Sequence, residues 1–263
     1  MFLAETADGV ITLTLSRPPV NAISEEWLRG FEAKLDEFAR GPQFKALHIR
    51  SDQKIFCAGA DLKEVRGRMG LADGPDRMYA YVAGIQRLYF RLEALPQVTL
   101  AEIGGAALGG GFELALACDL RIAANEAKVG LPEARLGLIP GAGGTQRLTR
   151  LFGPALANRL ILGAEVLDGA AAAALGVVHW AAPRAELPAR AAEIAKRIAG
   201  LPAAALAACK ACIAAAQQPG RSGYTAELEF TRQLLSNPET RQRVDAFLAG
   251  SADSSTQTKR GAA

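Results

Sequence analysis

Gly109-Gly110-Gly111-Phe112-Glu113, with a second acid at Glu133 inside Leu131-Pro132-Glu133, is the stretch of this 263-residue chain best equipped for chemistry. Three consecutive glycines leave backbone N–H groups uncovered where the chain enters an apolar run (Leu114, Leu116, Cys118), and the first amides of a helix have no partner within it. Such donors bind negative charge, including the charge that develops on a carbonyl oxygen during a reaction, while two nearby acids can move protons on and off carbon or water. The chain therefore reads as an enzyme. As a phosphate loop the glycine run fails, since no Gly-Lys-Ser/Thr follows, and as a dinucleotide fingerprint it lacks the downstream acid. Glu113 taken alone could be a helix-start acid favoured by the macrodipole. Its apolar neighbours instead suggest a partly buried face, where an idle acid is costly. Gly141-Ala142-Gly143-Gly144 reads as tight backbone packing, with an amide there as a candidate to orient a glutamate. Cys57, Cys118, Cys209 and Cys212 read as small buried hydrophobes; Cys209 and Cys212 share a face of an alanine-rich helix, and no metal site is expected.

These groups have to be positioned by an α/β framework. Residues 10–15 alternate apolar side chains with Thr, as a half-buried strand does. Ser24 is a helix N-cap before Glu25 and Glu26, and Trp27, Leu28, Phe31, Leu35 and Phe38 recur at helical spacing as far as Gly41-Pro42. Strands are expected at 46–50, 98–103, 120–123 and 177–181, and helices at 76–95 and 111–117. From Pro183 the chain is helical, at 185–199, 202–217, 224–235 and 238–248. Interleaved strands and helices followed by helices alone imply an α/β core with a helical extension. The small polar tail 251–263 is expected to be disordered. Half the residues are hydrophobic, enough for one sizeable core, and a net charge of +3 with scattered basic residues excludes an electrostatic footprint for nucleic acid. No apolar run of membrane-spanning length occurs, and the N-terminus lacks the order of a secretory signal, so a cytoplasmic location is expected.

Four segments line up in order: Arg17-Pro18-Pro19-Val20-Asn21-Ala22-Ile23; Ile55-Phe56-Cys57-Ala58-Gly59-Ala60-Asp61-Leu62-Lys63-Glu64; the glycine run with Glu113; and Gly130-Leu131-Pro132-Glu133 running on through Gly141 to Leu148. Together they resemble the crotonase superfamily and, within it, the enoyl-CoA hydratase group. The resemblance implies a spiral of ββα units over residues 1–200, a helical oligomerisation region over 201–250, and a homotrimer or dimer of trimers. It implies acyl-coenzyme A as substrate, with no other cofactor. Carried over residue by residue, the backbone N–H groups of Ala60 and Gly110 form the oxyanion hole, and Glu113 and Glu133 hold the water beside the β-carbon. By analogy Glu113 activates it for C3 and Glu133 helps deliver a proton to C2, with the reverse assignment, and a pair sharing one proton, left open by the sequence. Val20, Ala22, Ala58, Asp61, Leu62, Lys63 and Gly141 fall where substrate and coenzyme are bound. Arg66 and Arg68 border the acyl pocket and are expected to be solvated, with pairing to a carboxylated acyl tail as the alternative. A related isomerase or a non-catalytic acyl-CoA-binding subunit are the rival readings. One departure stands out: the Glu-Lys-Arg cluster that commonly follows Ala-Phe near the family's C-terminus is replaced here, after Ala246-Phe247, by Leu248-Ala249-Gly250-Ser251.

Overall fold

The computed structural model describes residues 1–41, 43–216 and 222–260, with 250–260 as backbone only. Two compact units divide the chain, Met1–Ala199 and Gly200–Ala263. The first opens with a hairpin, β1 (Phe2–Ala7) against β2 (Val10–Leu15), antiparallel. Between them Asp8 and Gly9 take φ of +51° and +77°, and an Asp-Gly pair at positive φ makes the two-residue turn whose twist matches its strands. β1 is absent from the elements expected above, although Asp8-Gly9 carries its signature. α1 (Glu25–Arg40) starts where Ser24 Oγ accepts the Trp27 N–H, and it buries Trp27, Leu28, Phe31, Leu35 and Phe38 as their spacing predicts. Pro42, where an end was also expected, lies outside the described residues.

β3 (Ala46–Ser51), α2 (Leu62–Met69), α3 (Gly74–Glu93), β4 (Val98–Ile103), β5 (Ala107–Leu108) and α4 (Gly110–Leu116) come next. They are followed by β6 (Leu120–Ala124), β7 (Lys128–Gly130) and a 3-10 turn over Pro132–Leu136. α5 (Gly144–Leu162) is broken at Gly153, whose φ is +82°, just before Pro154. β8 (Val166–Asp168), α6 (Gly169–Ala174), β9 (Trp180–Ala182) and α7 (Leu187–Ala199) complete the unit. Helices α2, α5 and α6 and the short strands β5, β7 and β8 are additions to the elements expected from sequence.

The strands form two sheets. Six lie in the order β1-β2-β3-β4-β6-β9, parallel from β2 onward, and three in the order β5-β7-β8. Successive turns of chain place one strand in the large sheet and the next in the small one: β4 then β5, β6 then β7. Isolated parallel bridges, Ile23 to Ala60 and Cys57 to Ala107, extend the small sheet's layer backward. This is a ββα spiral, and it stacks the loops after each large-sheet strand on one side. The near-continuous apolar strands, with Leu13, Leu15, Leu47, Ile49, Ala101 and Ile103 fully buried, are what a parallel sheet covered on both faces requires.

The second unit holds α8 (Ala203–Ala215), α9 (Gly223–Leu235) and α10 (Pro238–Arg260). The expected continuation of α8 to Gln217 reaches residues outside those described. Cys209 here is exposed, which corrects the reading of all four cysteines as buried, since α8 buries little beyond Ala208 and Ala215. The backbone of α10 stays helical over 251–260, where disorder was expected; a helix already nucleated extends at one hydrogen bond per added residue. Residues 261–263 of that tail, and the side chains of Lys259 and Arg260, lie outside the description.

Candidate active site

The segment that carries Ala58, Gly59 and Ala60 and the glycine run of α4 meet because Cys57 pairs with the β5 strand. Cys57 N–H donates to the Ala106 carbonyl at 3.1 Å, and Leu108 N–H to the Cys57 carbonyl at 3.1 Å. Gly59 and Gly109, each immediately before a candidate donor, sit at φ of +89° and +53°. Only glycine holds such a backbone cheaply. A Cβ on Gly59 would stand 3.0 Å from the Gly110 nitrogen, and one on Gly110 would stand 3.6 Å from the Ala60 nitrogen. The two amides are therefore neighbours across a gap that a side chain would fill. Neither donates to an acceptor among the described residues, and both line one cavity of about 680 Å³.

Glu113 and Glu133 line the same cavity. Glu113 projects from the first turn of α4 and is 2% exposed; its Oε1 accepts the Gly144 N–H at 2.7 Å. The glycine-rich loop before α5 thus orients a glutamate, as one reading of that loop allowed. Burial, and then the charge of Glu133, push the Glu113 carboxyl up to about 8, against the pull of the Gly144 amide. Glu133 stands on the 3-10 turn, with its Oε1 over Gly109 so that a Cβ there would come within 2.9 Å. Burial raises its carboxyl too, and its Oε2 is buried without a hydrogen-bond partner among the described residues. Two raised carboxyls beside two open amides can bind a polarised carbonyl and exchange protons with what is bound there.

Of the other residues singled out in the sequence, Ala58, Leu62 and Gly141 line the cavity, while Val20, Ala22, Asp61 and Lys63 lie outside its wall. Val20 supports the wall from behind, its carbonyl accepting the Ala58 N–H at 3.0 Å. Asp61 caps α2 through the Lys63 N–H and pairs with Arg17 at 3.2 Å; burial opposes this, yet these partners hold its carboxyl below the ordinary value. Arg68 corrects the expectation that it is solvated. It is buried, bonded to Glu25 at 2.6 Å and Glu64 at 3.1 Å, and its guanidinium lies 4.4 Å from the centre of the Tyr81 ring. Glu64 is its i,i+4 neighbour on α2, but Glu25 comes from α1 and Tyr81 from α3, which no local pattern reveals. The helix expected at 76–95 is α3, but its share in the site was not foreseen: it supplies Met78, Tyr79, Tyr81, Val82 and Gln86 to the wall, and on helical spacing alone these pass for core residues.

The family model described as enoyl-CoA hydratase/isomerase matches residues 5–251. The chain belongs to the enoyl-CoA hydratase/isomerase family. The crystal structure of an enoyl-CoA hydratase from Bacillus anthracis superposes with a TM-score of 0.88 at 33% identity, covering 95% of this chain and 96% of that one. The crotonase-like fold expected from the motifs is thereby shown. Among curated relatives, the mitochondrial methylglutaconyl-CoA hydratase of Mus musculus is 44% identical over 179 residues, 67% of this chain and 55% of that protein. The enoyl-CoA isomerase/hydratase fer4 of Mycosarcoma maydis is 37% identical over 254 residues, 91% of this chain and 89% of that protein. The chain spans between 51% and 64% of the length of the first curated relatives it matches.

Proposed function

We propose that this family member is an enoyl-CoA hydratase, adding water reversibly and syn to a trans-2-enoyl-CoA to give the 3-hydroxyacyl-CoA. The observation that carries the reading is the meeting of two unpartnered amides, Ala60 and Gly110, with two raised carboxyls on one cavity wall. The thioester oxygen sits between the amides, which stabilise the enolate more than the ground-state carbonyl; one such donor is worth about 3 kcal/mol. The carboxyl pair carries a single proton. Its ionised member takes a proton from water as the oxygen bonds C3, and its protonated member gives its proton to C2, so the pair ends with one proton on the opposite acid. The resemblance gives Glu113 the water and Glu133 the C2 proton. Burial rests the shared proton on Glu113 in the free protein, so it passes to Glu133, through the shared water, before attack. An isomerase needs only one base, and the presence of both acids favours hydration.

No metal or redox group enters this scheme. The resemblance puts the coenzyme along Val20 to Ala22 and Ala58 to Lys63, and of the residues it implies for substrate and coenzyme Ala58, Leu62 and Gly141 line the cavity. None of the cavity's lining residues is a lysine, arginine or histidine, and two are acids, so an uncharged acyl group fits and a carboxylated one is repelled. With crotonyl-CoA in ¹⁸O-water, the expected result is loss of the conjugated thioester absorbance with one ¹⁸O in the product. A carboxylated enoyl-CoA is turned over poorly, and Glu133→Gln still binds acyl-CoA but loses several powers of ten in rate. Turnover without solvent oxygen replaces the hydratase by an isomerase, and no turnover of any enoyl-CoA removes both.

A further inference from the structure

α3 carries Tyr81, Ile85 and Tyr89 four residues apart, hence on one face. The two tyrosines flanking Ile85 both end their side chains on the backbone that bears the open amides. Tyr89 Oη donates to the carbonyl of Gly110 itself at 2.7 Å. Tyr81 Oη donates to the Ile23 carbonyl at 2.6 Å. Ile23 in turn grips the chain on both sides of Ala60: its N–H donates to the Gly59 carbonyl, and the Asp61 N–H donates to its carbonyl, each at 2.8 Å. Ile23 also abuts the second donor, since a Cβ on Gly110 would meet its Cδ1 at 3.0 Å. Both tyrosines are buried, 4% and 0% exposed, so the hydroxyls have no competing solvent.

We propose that Tyr81 and Tyr89 are positioning residues that use α3 as a common strut to set the spacing and aim of the Ala60 and Gly110 N–H groups. The inference rests on the oxyanion-hole reading above. Its physical need is plain: each donor follows a glycine at positive φ, where no Cβ restricts the peptide, so rigidity has to come from outside the strip. A rigid helix tied to both strips at once supplies it. A buried tyrosine that only satisfied its own hydroxyl would have no reason to end on these two carbonyls in particular.

Tyr81→Phe and Tyr89→Phe test this, with Leu88→Ala as a control that loosens α3 from a buried apolar position whose side chain makes no hydrogen bond to either strip. The expected result is a kcat lower by about ten- to a hundredfold in each Phe variant, the cost of misplacing a reacting geometry by a fraction of an ångström to an ångström, with KM within about twofold. A bound 3-oxoacyl-CoA, whose enolate absorbs in the near ultraviolet, should lose enolate absorbance in both Phe variants and keep it in Leu88→Ala. Wild-type kcat and enolate absorbance in folded Phe variants overturn the proposal, as does an equal loss in Leu88→Ala at matched thermal midpoint. Should Tyr89→Phe not fold, Tyr81→Phe decides by the same criteria. If the wild-type chain neither turns over enoyl-CoA nor binds the 3-oxo compound as its enolate, the strut falls together with the oxyanion-hole reading; if it does both and the Phe variants match it, only the strut falls.

Discussion

Glu113 keeps its proton at a cost to the folded chain that varies with pH. Its carboxyl has an ordinary value of 4.5 when unfolded and about 8 in place. Between those values the folded chain binds a proton that the unfolded chain has released, so stability falls as pH rises, and the loss is complete above about 8. Glu113→Gln retains an oxygen to accept the Gly144 N–H but has nothing to ionise. The thermal midpoint of the variant should therefore gain on that of the wild type from pH 5 to pH 8 and then run parallel to it. Calorimetry across that range checks the expectation, and a gap that stays constant would contradict it. The importance of this residue was legible in the sequence because anion-binding amides demand backbone without Cβ, and three glycines before an acid announce it. Arg68 was not legible: its i,i+4 pairing with Glu64 is a local pattern, but its burial depends on Glu25 arriving from α1 and on the Tyr81 ring arriving from α3.

At the scale of elements, the first turn of α5 holds the active-site loop through one side chain. Arg147, 5% exposed, makes two bonds of 2.8 Å to Glu93 at the end of α3 and one of 2.7 Å to the Ala142 carbonyl. A Cβ on Gly143 would stand 2.3 Å from its Nη1, so the loop is built around this guanidinium. Arg147→Met is expected to lower stability by about 3 kcal/mol, the low end for breaking a buried pair because Glu93 is partly open to solvent. It should also slow turnover, by freeing the loop that supplies the Gly144 amide. Urea unfolding alongside steady-state kinetics measures both, and a variant as stable and active as the wild type would refute the role. α1 could be read from sequence because cap, acidic first turn and apolar stripe agree. α5 could not, because Gly153 and Pro154 interrupt its pattern midway. The tyrosine stripe of α3 was hidden for the opposite reason: its spacing is that of any core helix.

At the scale of the whole molecule, the two units are not equally finished. The first fully buries core side chains such as Trp27, Phe31, Tyr89 and Phe112, whereas none of α9's residues is buried, and Tyr224, Leu228, Leu235, Val244 and Phe247 are all exposed in the second. Large exposed apolar surfaces commonly belong to interaction sites, and the family resemblance predicts a trimer or dimer of trimers. Sedimentation should give three or six times the 27.6 kDa chain mass, and a monomer at micromolar concentration would overturn it. The large sheet was legible as a set of strands from β2 onward, but its strand order and the bridges at Ile23 and Cys57 are long-range pairings that no local window contains. Those bridges carry a kinetic implication. The two amide-bearing strips are fifty positions apart and are paired directly by the parallel bridge of Cys57 with Ala107, which closes late because chain entropy is lost before it forms. Recovered turnover after dilution from denaturant should therefore lag the return of helical signal, so that enzymatic competence serves as a clock for the last step of assembly.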